Sequence, residues 1–388
     1  MNNSGNQVIL LTGATGAVGR ELLARMLQNT GARVICVIRG QSDAIAAKRL
    51  SETLDELSHH GLTEEERSRV SALRGDITSD RLGLDKARWE ALAAETTRIV
   101  HGAANVSWSL PIEEARRINV AGTMQMLQLA EEACRRGSLR AFDYLSTVMV
   151  AGRREGLIGE EELDEKSGFW STYEQSKAEA ERNVRARRGT LPVSIFRLSM
   201  VVGDSRTGQT SSFNVMYWPL KMLSRGMFWI APADPRGVVD IVPVDYAAAA
   251  VEALSGDPAQ RGKSFHIAAG PDSCCTVSEF LDLAVEVMGI RRPLLVNPKV
   301  FLAFVKPLIY AVTWGKKREA LRKAHVYVPY LSYRARFDVR QARAALEPLG
   351  LRPPLVRTYF RNLIEFAIAT QWGKQRHQVS LREAGKDE

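Results

Sequence analysis

Cysteine is scarce: four residues in 388, with no metal-ligand spacing among them. Cys36 falls in an apolar run, Cys134 in a helical one, and Cys274 and Cys275 are neighbours. That usage argues against a disulfide framework or a zinc module and suits a reducing compartment. A leader is lacking as well. MNNSGNQVILLTGATG enters an apolar strand with no basic segment before it, so a cytoplasmic chain is expected. Nor is there a run long enough to span a bilayer, since the apolar stretch from Val300 to Trp314 contains Lys306 and Pro307. Such a segment would lie in an interface, line a tunnel or form a kinked core helix. Low-complexity tracts, internal repeats and nucleic-acid recognition motifs are all absent.

The positive charge, +9 overall, is concentrated at one end. Residues 291–388 hold 20 Lys and Arg against 7 Asp and Glu, a net +13, whereas residues 1–290 hold 33 against 37, a net −4. The basic piece suits a phosphate-bearing substrate, a carrier protein or an anionic membrane surface. Ordinary solvated Arg and Lys around helices would produce the same count.

What the chain does contain is enough apolar residue, 45%, for a full core. QVILLTG, ARVICVIRG, VSALRGD, TRIVHGAA, LRAFDYLSTVMV and LPVSIFRLS read as six strands, with helical patterns such as GAVGRELLARMLQNTG and YEQSKAEAERNVRARRG between them. Strand–helix alternation of this kind predicts a parallel sheet covered on both faces. After Ser199 the rhythm loosens from Gly203 to Pro235, then VVDIVPVDYAAAAVEAL, GKSFHIAAG and TVSEFLDLAVEVMG return to strand and helix. The fold class expected is α/β: a Rossmann-type doubly wound parallel sheet with a smaller, mostly helical C-terminal substrate-binding portion. Residues 1–200 would bind the cofactor. Residues 201–290 would mix a substrate cap with returning sheet elements, and 291–388 would form a basic, aromatic-rich contact region.

TGATGAVG carries the first chemistry. Gly13 would permit a tight turn after Thr12, Gly16 would let backbone approach a pyrophosphate, and Gly19 would let the next helix pack closely. Thr15, Ala17 and Val18 complete a loop whose helix amino end faces the phosphates. Without GK[ST] it is no P-loop. The second strand ends in VIRG, which puts Arg39 where a carboxylate would contact an adenosine ribose, with Lys48 and Arg49 following. Guanidinium forks suit a 2′-phosphate, so NADPH is predicted over NADH. Asp76 and Ile77 would flank the adenine, and Gly102, Ala103 and Ala104 would leave room for the middle of the cofactor. His101 beside them is read as packing or backbone bonding.

Hydride transfer to a carbonyl needs a proton donor and nearby positive charge. Tyr173 and Lys177 in YEQSK stand one helical turn apart, so the lysine would depress the phenol and hold the nicotinamide ribose. LSTVMVAG offers Ser146 and Thr147 as a second hydroxyl, and Asn119 would bind the water that reprotonates the lysine. YWPLK repeats the spacing with Tyr217 and Lys221, but its internal proline makes a regular helical turn less certain outside the first turn. Tyr217 is therefore expected to line the substrate channel.

TGATGAVG, NVAGT, LSTVMVAG and YEQSK together resemble the extended short-chain dehydrogenase/reductase family over roughly residues 7–290. The resemblance implies Thr147, Tyr173 and Lys177 as the catalytic trio, with Asn119 structural and Ser146 left to the cofactor. HGAANVSWSLPIEEARRINVAGT, GDIT and VDIVPVDYAAAAV are similar to thioester reductases and fatty acyl-CoA reductases. That likeness implies NADPH-dependent reduction of an acyl thioester, on CoA or an acyl carrier protein, to an aldehyde and in some cases the alcohol. It also implies that Arg39 and Arg49 hold the 2′-phosphate. GAVG stands where those enzymes usually have GFLG, and Ser199–Met200 replaces Pro–Gly, reshaping the wall near the nicotinamide. No adenylation or carrier domain precedes this one, so a thioester supplied in trans is expected, with contact to a membrane surface open to the C-terminal region. The alternative is a ketone or aldehyde reductase, or a hydroxyl dehydrogenase, using the same trio.

Overall fold

Seven of the apolar runs join one parallel sheet: β1 (Val8–Thr12), β2 (Arg33–Ile38), β3 (Val70–Arg74), β4 (Arg98–His101), β5 (Ala141–Thr147), β6 (Val193–Leu198) and β7 (Ser264–Ile267). The structure, a computed structural model, describes residues 7–213, 216–227, 229–305, 307 and 327–375. The strand order is β7-β6-β5-β4-β1-β2-β3, with every pair parallel. From β1 the chain winds outward through β2 and β3, then returns to β4 on the other side. The reversal leaves a crevice beyond the carboxyl ends of β1 and β4, where ligands bind in open sheets of this type. Thr12 pairs with both Val37 and His101, so these strand ends are level.

Both faces are covered, as the continuous apolar strands require. Helix α1 (Ala17–Asn29) and the helix Val244–Gly256 bury Leu22, Leu23, Leu27, Ala247 and Val251 on one side. Trp89, Met126, Leu127, Ala130 and Val184 cover the other. The helix expected around NVAGT is continuous but contains a π-turn, Arg117–Ala121, between Ile112–Arg116 and Gly122–Arg135. VVDIVP divides into two short strands outside the main sheet: Val238–Val239 pairs with Cys275–Thr276, and Ile241–Pro243 with Met200–Val202.

Part of the C-terminal region folds back onto the first half. Ala335–Phe337 runs parallel to Gly156–Ile158. Next to that strand, the buried Glu160 carboxylate accepts from the backbone N–H groups of His266, Gln341 and Ala342. Tyr359, Phe360, Leu363 and Ile364 of the helix Val356–Ala369 pack against Leu220 and Ala284. Several of the basic residues here are paired, including Arg292 with Asp282, Arg334 with Asp234, and Arg343 with Asp272. Among the described residues no helix is long and apolar enough to cross a membrane.

Candidate active site

The crevice is built first by close backbone approach. Gly13 has φ +83°, and a Cβ there would lie 2.7 Å from the carbonyl carbon of Gly102. A Cβ on Gly19 would lie 2.0 Å from the Gly13 oxygen. Gly16 N–H donates to that same oxygen at 2.9 Å. As N-cap of α1, Gly16 supplies no side-chain cap, so the first N–H groups of the helix remain available to an anion. Small residues 102–104 face this loop half-buried. The cradle therefore fits a dinucleotide pyrophosphate. Gly19→Ala is expected to weaken cofactor binding at least tenfold and lower the melting temperature, which fluorescence titration and thermal melting would measure.

Thr12 and His101 brace the cradle from below. The Thr12 hydroxyl bonds His101 Nδ1 at 2.7 Å and accepts from Ala103 N–H at 3.2 Å, while His101 Nε2 meets the Thr123 hydroxyl at 3.1 Å. Burial, aided by the Lys177 charge, pushes the His101 pKa down to about 3. His101 is thus a neutral strut joining two threonine side chains, where backbone bonding was among the expectations. Thr15 offers its carbonyl to Arg20 at 2.9 Å, and Val18 packs on the core below Ala17.

Where the adenine was expected, Arg39 is exposed beyond β2, and the Arg49 guanidinium folds back onto its carbonyl. Lys48 diverges, pairing with Glu52 at 3.9 Å on the exposed face of the helix Asp43–Glu56. Arg74, not singled out by its sequence context, closes β3 and pairs with Asp43 at 3.1 Å. Asp76 accepts through Oδ1 from the Thr78 N–H and hydroxyl at 2.9 and 2.8 Å. Ile77 packs so closely on Gly122 that a Cβ there would come within 2.7 Å of it.

The expected reacting centre lies on the helix Thr172–Arg185, which Ser171 caps by accepting from Glu174 N–H at 3.3 Å. Thr147, the last residue of β5, accepts from Met149 N–H at 3.2 Å and lies near the Tyr173 phenol. Burial raises the Tyr173 pKa to about 12, opposed by the Thr147 hydroxyl and reinforced by the Glu174 charge. The expected depression by Lys177 is not found. Lys177 donates instead to the Tyr144 hydroxyl at 2.8 Å and the Leu145 carbonyl at 2.9 Å, and sits 4.2 Å from the centre of the Tyr144 ring. Burial lowers its own pKa to about 7, against the opposing charge of Glu181. An ammonium occupied and partly discharged in this way cannot strongly acidify a neighbour.

Three further expectations need correction. Ser146 is not left to the cofactor: its hydroxyl donates at 2.6 Å to Glu181, two turns further along the helix that carries Tyr173. Asn119 does not keep its amide for water. It sits in the π-turn, accepts from Asn105 N–H at 2.8 Å, and donates to the Asn105 carbonyl and Ser176 hydroxyl at 3.1 and 2.9 Å. Both amide protons are used in clamping the loop after β4 to the tyrosine helix. Tyr217 does not line the channel. YWPLK does form a regular helix, Tyr217–Ser224, with the proline in its first turn. There Tyr217 is buried beside Phe213 and accepts from Gly203 N–H at 3.1 Å. Of the other substrate candidates, Ser199 is a strut that donates to the Asp240 carbonyl at 2.7 Å, and Met200 lines a cavity of about 190 Å³ beside the reacting centre.

Two partners have no counterpart among the residues expected from sequence. Tyr144 carries a polar tip inside an apolar strand, a local signal in FDYLST. Tyr330 donates to the Glu174 carboxylate, a contact across 156 positions that no local pattern announces.

The fold and this site define an oxidoreductase of the extended short-chain type that takes a nicotinamide cofactor. Residues 11–251 match the family model described as male sterility protein, and the chain belongs to that family of thioester reductases. It is 31% identical to a linear gramicidin synthase of Brevibacillus parabrevis over 67% of its length and 5% of that protein's. It is 35% identical to an isonitrile lipopeptide synthase of Streptomyces coeruleorubidus over 71% of the chain and 18% of the synthase. A carboxylic acid reductase of Mycobacterium tuberculosis gives 30% over 71% of the chain and 26% of the reductase. The chain thus spans a minor part of each of these relatives. Among solved structures, the terminal R domain from the myxalamid PKS-NRPS pathway superposes with a TM-score of 0.82 at 27% identity, covering 96% of this chain and 92% of that one.

Proposed function

We propose that the protein reduces an acyl thioester to an aldehyde with NADPH, releasing the thiol of CoA or of a carrier protein. The observation that carries this reading is the buried Tyr173 phenol near the Thr147 hydroxyl, together with the glycine cradle where Gly13 meets Gly102, in a chain whose relatives include terminal reductase domains. The bound reduced nicotinamide supplies the two electrons as a hydride to the thioester carbonyl carbon. Tyr173, near Thr147, gives a proton to the carbonyl oxygen as charge develops there. Collapse of the resulting thiohemiacetal breaks the C–S bond, and the thiol leaves with the hydroxyl proton. The balance is one thioester, one NADPH and one proton to one aldehyde, one thiol and NADP⁺. Lys177 holds the ribose through the donor that Tyr144 and Leu145 leave over.

Arg39 and Arg49 support NADPH as the cofactor, because an exposed arginine just past β2 and a guanidinium held on its backbone carbonyl offer donors suited to a 2′-phosphate. Arg39→Ala should raise the KM for NADPH roughly tenfold or more while changing that for NADH little. Equal KM values for the two cofactors in the parent would remove the assignment. The reaction itself is tested by following NADPH absorbance and free thiol together with acyl-CoA and acyl-carrier substrates. Equal loss of NADPH and gain of thiol is expected; NADPH oxidation by ketones or aldehydes alone would overturn the proposal.

A further inference from the structure

We infer that the acyl group is an uncharged, mainly hydrocarbon chain, seated in the cavity next to the reacting centre. This deepens the thioester reading and rests on it. The cavity starts at the chemistry: Met149 follows Thr147 by two residues, and Met200 lies just beyond β6. Trp108, on the loop after β4, closes the near side and stacks on Tyr330 at 4.1 Å between centroids. Leu220 of the helix Tyr217–Ser224 and Ala284 of the helix Val277–Met288 form the far wall, with Ala231 of the short strand Ile230–Pro232 between.

Three polar side chains on this lining, Tyr330, Tyr333 and Asp240, are already bonded. Tyr330 donates to Glu174, and Tyr333 donates to the Gly152 carbonyl at 2.7 Å. Asp240 is the one carboxylate among the described lining residues, and no Lys or Arg is among them. Its two oxygens accept from Ala269 and Gly270 N–H at 2.9 and 3.0 Å, so it is committed to the backbone after β7. An ammonium or carboxylate on the acyl chain would lose its hydration here with no free charged partner among the described lining residues to replace it. Each added methylene, in contrast, should strengthen binding about fourfold until the space is filled.

The test is a series of S-acyl pantetheines: butanoyl, pentanoyl, octanoyl, dodecanoyl and glutaryl. The expected result is kcat/KM rising about fourfold per methylene through the shorter members, with glutaryl at least a hundredfold below pentanoyl, which has the same length without the terminal carboxylate. A flat series, or glutaryl equal to pentanoyl, would overturn the inference. Calorimetric titration of the same compounds separates the two readings. Binding with this slope but no reduction would sink the thioester reaction and keep the cavity assignment. Ala231→Phe, at a half-buried position, should lower the dodecanoyl-to-butanoyl kcat/KM ratio more than tenfold, and an unchanged ratio in a folded variant would count against the cavity as the chain's seat.

Discussion

Tyr173→Phe should lower kcat for thioester reduction by about 10³-fold while leaving NADPH binding within a factor of two or so of the parent. The phenol lies near the Thr147 hydroxyl at the end of β5, and its removal takes away the proton proposed to neutralise the carbonyl oxygen. Its ring remains to fill the same space, so the cradle of Gly13, Gly16 and Gly19 is untouched. Burial holds the phenol at about 12, which keeps it protonated throughout the working range and suits a donor. Lys177, in contrast, titrates near 7, so kcat/KM in the free enzyme should fall as pH rises through that value and the ammonium is lost. Tyr217→Phe is the control. Tyr217 sits in the core with its oxygen on Gly203, so a moderate loss of stability with little change in kcat is expected. Equal losses of kcat in the two variants would refute the assignment of Tyr173. Rapid-mixing kinetics and cofactor titration together provide the measurement.

The largest effect on stability is expected at Glu181. Its carboxylate and the Arg197 guanidinium are both fully buried and 2.8 Å apart. Arg185 and Ser146 also donate to Glu181, and Arg197 reaches the Glu162 carbonyl at 2.6 Å. Burial pushes the Glu181 pKa up, but the Arg197 charge and hydrogen bonds outweigh it and bring the group down to about 2. Glu181→Leu would leave Arg197 charged and without its carboxylate, at a cost of about 4 kcal/mol and a fall in Tm on the order of 10 °C. The double variant Glu181→Leu, Arg197→Leu should recover much of that loss, because no unpaired charge remains. The pH dependence follows from the sign of the shift. A carboxylate depressed in the folded state contributes stability above its ordinary value near 4.5 and loses it as pH falls toward 2. Acid melting curves of the parent should show that decline, and those of Glu181→Leu a shallower one, since Glu179 and Asp338 among other carboxylates are also held down.

Much of the framework was legible because it is written locally. Apolar runs marked all seven strands of the sheet, and Gly13 and Gly19 marked the turn and the close approach that the coordinates contain. Tyr173 and Thr147 were singled out through spacing and strand position together, and the fold brings the phenol near the Thr147 hydroxyl. The missed features depend on which way a side chain turns. Ser146 and Thr147 are equivalent in the sequence until the strand's neighbours decide that one meets Glu181 and the other Tyr173. Tyr217 read as a channel residue because its segment is irregular in pattern, yet its helix buries the tyrosine and presents Met216 and Trp218 to the cavity. Lys177 was placed on the correct face, but Tyr144, 33 positions earlier, competes for its ammonium. Such competition is set by packing across the sheet and leaves no periodic trace.

The pairing of Gly156–Ile158 with Ala335–Phe337 has a consequence for how the molecule is made. Translation delivers the earlier strand well before the later one, and Glu160 waits just as long for Gln341 and Ala342. The sheet can assemble on the ribosome while this edge stays open, and closing it is a late, long-range step. A chain halted before the later strand should therefore expose an unpaired edge and a carboxylate left with His266 N–H alone of its three backbone donors, making nascent fragments targets for chaperones and proteases.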